Sequence, residues 1–156
     1  MLKQVAALPL FHDLNDAQLI LLDEVFEHCS FQKEQVIFRQ GDPANHLYVL
    51  CSGEVVIRYK PYDGPPLVVA RIAVGGVFGW SVALGRAAYT SAAIAIVPST
   101  ALRASTQKLY NLSLTDPETS SLLMERLSAI IAERRNMRNP VLDLLNKKFT
   151  SDQTNL

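Results

Sequence analysis

The chain has 156 residues, 49% of them hydrophobic and 19% charged, which suits one domain with a substantial core rather than two. Fifteen Lys and Arg against fifteen Asp and Glu leave a formal net charge of zero, so no global field draws the chain to nucleic acid or to an anionic membrane. Arg71 and Arg86 interrupt the most apolar region before it reaches the roughly 18 residues of a membrane span. The opening segment to Phe11 carries Gln4 and Pro9 and no small-residue cleavage pattern, so a cytoplasmic protein without a signal peptide is expected. Cys29 and Cys51 stand far apart, with no CxxC pair and no adjacent histidine pattern, and read as buried thiols.

The hydrophobic period divides the chain into three parts. Residues 13 to 28, with Asp13 or Asn15 as the cap and Leu14, Ala17, Leu19, Ile20, Leu22, Val25 and Phe26 in a stripe, predict a helix. From Phe31 to Arg103, short runs rich in Val, Ile, Tyr and Phe alternate with turn residues. Strands are expected at Gln35 to Phe38, Leu47 to Ser52, Glu54 to Tyr59, Leu67 to Ala73, Thr90 to Ile96 and Thr100 to Ala104. The turns between them fall at Gly41-Asp42-Pro43, Ser52-Gly53, the stretch Tyr62 to Pro66, and Pro98-Ser99. A short helical piece, Gln107 to Leu112, precedes a long helix that starts with Asp116 as cap and Pro117 in its first turn. That helix runs to about Arg138, before Asn139-Pro140, and a short apolar piece, Val141 to Leu145, follows. The expected fold is mainly β with flanking helices: an N-terminal helical segment (1–30), a double-stranded, jelly-roll-like β-roll (31–106), C-terminal helices (107–148), and a polar tail (149–156).

Two glycine clusters carry the functional reading. The first is Phe38-Arg39-Gln40-Gly41-Asp42-Pro43-Ala44, followed by Leu47 to Leu50 and Ser52-Gly53-Glu54-Val55. Its glycines allow tight turns, and the Asp42 carboxylate can bond backbone two residues on. The second is Gly75-Gly76-Val77-Phe78-Gly79-Trp80-Ser81-Val82-Ala83-Leu84, ending in Tyr89-Thr90-Ser91-Ala92. A glycine-led turn opening into a short helical stretch would present backbone N–H groups to an anion.

Together these segments resemble the cyclic-nucleotide-binding domain of the catabolite activator and FNR regulator superfamily, from about Leu8 to Arg138. The second cluster looks like that family's phosphate-binding cassette, which implies ligand contacts from Gly79, Trp80, Ser81, Val82, Ala83, Arg86, Tyr89, Thr90 and Ser91. The likeness also implies that the long helix closes over the ligand, with Arg134, Arg135 and Arg138 as a lid. In this Phe-Gly-Trp-Ser variant of the cassette, Trp80 stands where the family places a ribose-binding glutamate, and Tyr89 where it places the phosphate-binding arginine. A guanidinium–phosphate pair is bidentate and charge-assisted, whereas a phenol offers one neutral hydroxyl; the exchange costs on the order of a hundredfold in affinity. Trp80 and Tyr89 either fill the pocket or line it for a flatter, less charged ligand.

On the long helix, Leu123, Leu127, Ile130 and Met137 form a stripe that suits pairing with a second copy and equally packing on the roll of its own chain, two uses that one helix can share. Only eighteen residues follow Arg138, too few for a helix-turn-helix, so no DNA contact is expected from this chain alone. His12, His28 and His46 are isolated, which argues against a cupin-like metal site, and no catalytic set can be assembled. The sequence therefore predicts a non-enzymatic regulatory sensor without cofactor or metal, homodimeric through its C-terminal helix. Its ligand would be a cyclic nucleotide or another small molecule, and its output an unidentified protein partner. The alternative is a ligand-free dimerisation or interaction scaffold.

Overall fold

A computed structural model describes residues 6–136, with side chains described to residue 133. Met137, Arg138, the Val141 to Leu145 piece and the tail lie outside the described residues, as do the side chains of Arg134 and Arg135.

Helix α1 is Asp16–Val25. Of the two expected caps Asn15 is the one used: its side chain accepts from the Gln18 N–H at 2.8 Å, and the Gln18 side chain accepts from the Asn15 N–H at 3.0 Å. The helix does not continue to residue 28. Phe26–Phe31 is instead strand β1, paired antiparallel with Ser99–Ser105 (β8) residue for residue, Phe26 opposite Ala104 through Phe31 opposite Ser99. The apolar spacing of Val25 and Phe26 fits a helix as well as it fits a strand start. Six residues of ladder decide for the strand.

The remaining strands are β2 (Val36–Phe38), β3 (His46–Ser52), β4 (Val55–Tyr59), β5 (Leu67–Ile72), β6 (Val77–Phe78) and β7 (Ala92–Ala95). They form two four-stranded antiparallel sheets, ordered β1-β8-β3-β6 and β2-β7-β4-β5. The turn that carries the chain from β3 in one sheet to β4 in the other depends on Gly53, whose φ is +91° and where a Cβ would run into the Ser99 side chain.

Strand β3 is buried on both faces, and its alternation separates two cores. Tyr48 and Leu50 point into the roll, with Phe38, Val55, Ile57, Phe78 and Tyr89. Leu47 and Val49 point outward to a layer that includes Leu10, Phe11, Leu22, Phe26, Leu123 and Leu127. Helix α2 (Thr106–Thr115) is longer at both ends than its apolar stripe, with Ser105 as cap accepting from the Lys108 N–H at 3.1 Å. Helix α3 (Pro117–Asn136) starts as expected, the Asp116 carboxylate accepting from the Thr119 N–H at 3.1 Å.

Of the two uses open to the stripe on α3, the described residues take packing on the chain's own roll. Leu123 and Leu127 are buried in the outer core and Ile130, partly buried, packs against it, so packing on the chain's own core is the use these three residues show. Leu127→Ala should therefore cost about 2–5 kcal/mol in urea denaturation. Its oligomeric state by sedimentation should match the wild type.

Candidate functional site

Strand β6 leads into the cassette. It lies beside β3, Phe78 opposite Tyr48 and Val77 opposite Val49. Gly79 then turns the chain at φ +74°, and a Cβ there would come within 2.9 Å of the His46 carbonyl oxygen. A glycine is required for this approach of the cassette to β3. The expected short helix is absent: residues 80–85 form consecutive turns, with Leu84 N–H donating to the Trp80 carbonyl (3.2 Å) and Arg86 N–H to the Ser81 carbonyl (2.9 Å). Gly85, at φ +70°, ends the run before a helix is established.

The return leg joins the two glycine clusters. Ala44 N–H donates to the Ala87 carbonyl at 2.9 Å, Tyr89 N–H to the Asp42 carbonyl at 2.9 Å, and Gly41 N–H to the Tyr89 carbonyl at 2.8 Å. The Asp42 carboxylate bonds backwards, accepting from the Arg39 N–H at 2.9 Å, and not two residues on as its position after a turn glycine suggests. Val82 is buried in the inner core, Ser81, Ala83 and Ser91 are half-buried, and Arg86 and Thr90 are exposed.

The two variant residues part company. Tyr89 turns into the roll, 5% exposed, its ring stacked on Phe38 with centroids 3.7 Å apart and planes at 14°. Its hydroxyl donates to the His46 carbonyl at 2.5 Å and accepts from the His46 N–H at 3.1 Å. Burial pushes the phenol up to about 12, so it remains neutral. Trp80 goes the other way, half-buried against the outer core that contains Leu123 and Leu127. Around Tyr89 the interior is filled by aromatic rings: Phe38 stacks on Phe78 at 6.3 Å, and Phe78 on Tyr48 at 4.9 Å. The two sequence clusters contain Phe38, Tyr48 and Phe78 without setting what they pack on, and no motif reaches the His46 backbone; the common inward parity of the rings is the signal that finds them.

His46 also links this site to a charged row across the first sheet, where Glu27, Arg103 and Tyr48 stand opposite one another on β1, β8 and β3. Arg103 Nε donates to the Glu27 carboxylate at 2.6 Å, and this bond with its charge holds Glu27 below the ordinary carboxylate range. Burial, and then the Arg103 charge, push the His46 imidazole down. The Cys29 thiol, also desolvated, is pushed up to about 11 and is no nucleophile. Among the described residues no three His, Cys, Asp or Glu side chains converge on a metal position.

The Cyclic nucleotide-binding domain family matches residues 28–116, which run from within β1 to the cap of α3 and include the whole cassette. The chain belongs to this family. It is 27% identical to the Cyclic AMP receptor protein of Thermus thermophilus over 88% of this chain and 62% of the receptor. Among solved structures, one from Geobacter metallireducens GS-15 described as a cyclic nucleotide-binding protein has a TM-score of 0.74 at 26% identity, covering 85% of this chain and 96% of that one. A cAMP-binding acyltransferase from Mycobacterium smegmatis has a TM-score of 0.66 at 27% identity, covering 82% of this chain and 38% of the enzyme. The first two curated relatives are longer proteins, of which the chain spans 36% and 62%. Among the described residues, no helix is long and apolar enough to cross a membrane.

Two outcomes are expected. Tyr89→Phe keeps the stacked ring but strands both His46 backbone groups, and should cost about 1–3 kcal/mol in urea denaturation. The folded His46 resists a proton that the unfolded chain accepts at its ordinary value of 6.5, so stability should fall as pH drops below about that value. His46→Gln should remove this slope from a melting-temperature series between about pH 7 and 5, leaving the acid limb of Glu27, which begins below its ordinary 4.5.

Proposed function

We propose that the chain is a non-enzymatic, cytoplasmic regulatory module that senses a small ligand at its altered cassette and passes the change to α3. The observation that carries this reading is the position of Trp80. The residue standing where the family binds ribose packs against the same core as Leu123 and Leu127 of α3. A ligand that displaced Trp80 would disturb the seat of the helix, shifting a balance between two helix positions. The thiols of Cys29 and Cys51 are free, as a reducing compartment would keep them.

The ligand grip differs from an arginine–phosphate pair. Tyr89 is neutral and its hydroxyl is already bonded on both sides, so a cyclic phosphate would gain no charge-assisted partner there. Ligand contacts then fall to Ser81, Ser91 and the exposed Thr90 and Arg86, with Arg134, Arg135 and Arg138 as the lid inferred from the family likeness. For a homodimer along α3, the outward face, where Met124 is 40% exposed, and the partly buried Ile130 are open. The reading assigns no DNA contact to these residues.

The filled roll interior around Tyr89 favours a second reading, a ligand-free scaffold. Isothermal calorimetry with cyclic AMP, cyclic GMP and cyclic dinucleotides separates the two. The sensor reading expects heat from the wild type with one of these probes, and cyclic AMP bound on the order of a hundredfold more tightly by Trp80→Glu/Tyr89→Arg. A wild type silent to every probe contradicts the nucleotide-sensing form of the reading.

A further inference from the structure

Where β3 begins and β8 runs into α2, the surface holds an open cleft of about 510 Å³ lined by Asn45, His46, Ser105, Thr106, Gln107 and Tyr110. That volume lies within the usual range of small-molecule sites. Among the described residues, none from the cassette lines it. The two walls are bonded to each other. His46 stands opposite Ser105 in the β3–β8 ladder, and the Thr106 N–H donates to the Asn45 carbonyl at 2.9 Å. The Thr106 hydroxyl is also within donating distance of the Asn45 and Ala44 carbonyls, at 3.2 and 3.3 Å. The cleft is therefore formed before anything enters it, and binding does not have to order its walls.

The lining groups indicate what the cleft takes. Among the described residues, neither the Asn45 carboxamide nor the His46 imidazole has a hydrogen-bond partner. Gln107 spends its Nε2 on the Asn111 Oδ1 at 3.1 Å, which leaves its Oε1 as an acceptor. Tyr110, one turn along α2 from Thr106, is 60% exposed and offers a broad ring face. None of the six residues carries a charge at neutral pH, since burial, and then the Arg103 charge, hold the His46 imidazole in its neutral form. The start of α2 adds no anion site, because the Thr106 N–H goes to the Asn45 carbonyl and the Lys108 N–H to the Ser105 hydroxyl. A phosphate or carboxylate would therefore lose water here without gaining a counter-charge. A flat, neutral ring with its own donors and acceptors loses less and gains two contacts: it stacks on Tyr110, and its edge meets a carboxamide, which pairs bidentately with a neighbouring nitrogen donor and acceptor.

We propose that this cleft binds an uncharged planar nitrogen heterocycle, with Tyr110 as its stacking platform and Asn45, His46 and Gln107 reading its edge. The site is separate from the cassette and stands whether or not the sensor reading holds. The two share only His46, whose backbone is bonded to Tyr89 while its ring lines the cleft. Titration of the isotope-labelled full chain, followed by the NMR shifts of its backbone amides, tests the proposal. The probes are adenine, cytosine and nicotinamide, with benzoate as a flat anion and methyl glucoside as a neutral, non-planar control. At least one heterocycle should give saturable shifts at residues 45–46 and 105–107, and both controls should bind about tenfold more weakly or not at all. Tyr110→Ala and Asn45→Ala should each weaken that heterocycle about tenfold, Tyr110→Phe should not, and Leu114→Ala, one turn further along α2, should leave it unchanged. Asn45, Tyr110 and Leu114 are exposed, so the variants should melt with the wild type, and the ranking of probes against controls needs no variant. Silence with all three heterocycles, shifts confined to the cassette amides, a control that binds as tightly, or a folded Tyr110→Ala/Asn45→Ala chain that binds like the wild type would overturn the proposal.

Discussion

The hydroxyl of Tyr89, bonded to both backbone groups of His46, is the contact that sets how this domain is organised. It joins the return leg of the cassette to the first residue of β3, the strand whose two faces supply both cores. Gly79 makes the same approach from the other end of the cassette, reaching the same His46 carbonyl without a side chain. The cassette is thus held to β3 at both ends, and the Gly41 to Ala44 turn is bonded to its return leg. A neutral, desolvated phenol suits this structural role. An arginine at the same place would need a counter-charge, which a bound phosphate supplies in a guanidinium–phosphate pair.

Trp80 belongs to a different balance. It packs on the outer core, against which α1, α3 and the segment around Leu10 and Phe11 are also set. Phe11 meets Phe26 edge-to-face at 5.3 Å, so the first strand, the chain's opening segment and the long helix share one apolar layer. Within the cassette, then, one variant residue is bonded to the strand and the other is packed on the outer core. The proposed regulation through the helix would require that the second contact yield before the first.

The architecture was legible in the sequence because its signals are local: turn glycines at regular spacing, the Asp116-Pro117 helix start, and a change of hydrophobic period at each end of the roll. The errors have physical causes. Residues of β1 read as a continuation of the preceding helix because Val25 and Phe26 suit either period, and only the pairing with the distant β8 decides. The cassette was expected to open as a helix, but Gly79 and Gly85 take positive φ and leave turns. Tyr89 and Trp80 stand out by their departure from the family's cassette, yet no sequence signal sets the direction of either side chain. That direction depends on Phe38 and on the His46 backbone, neither of which has a motif.

The most direct measurement of the central contact is amide hydrogen exchange at His46. The structure gives this N–H to the Tyr89 hydroxyl, so it should exchange slowly in the wild type and quickly in Tyr89→Phe, while the amides of Val49 and Leu50 within the ladder remain protected in both. A His46 amide that exchanges at the same rate with and without the hydroxyl would show that Tyr89 does not hold the cassette to β3, and the account of this site would fail.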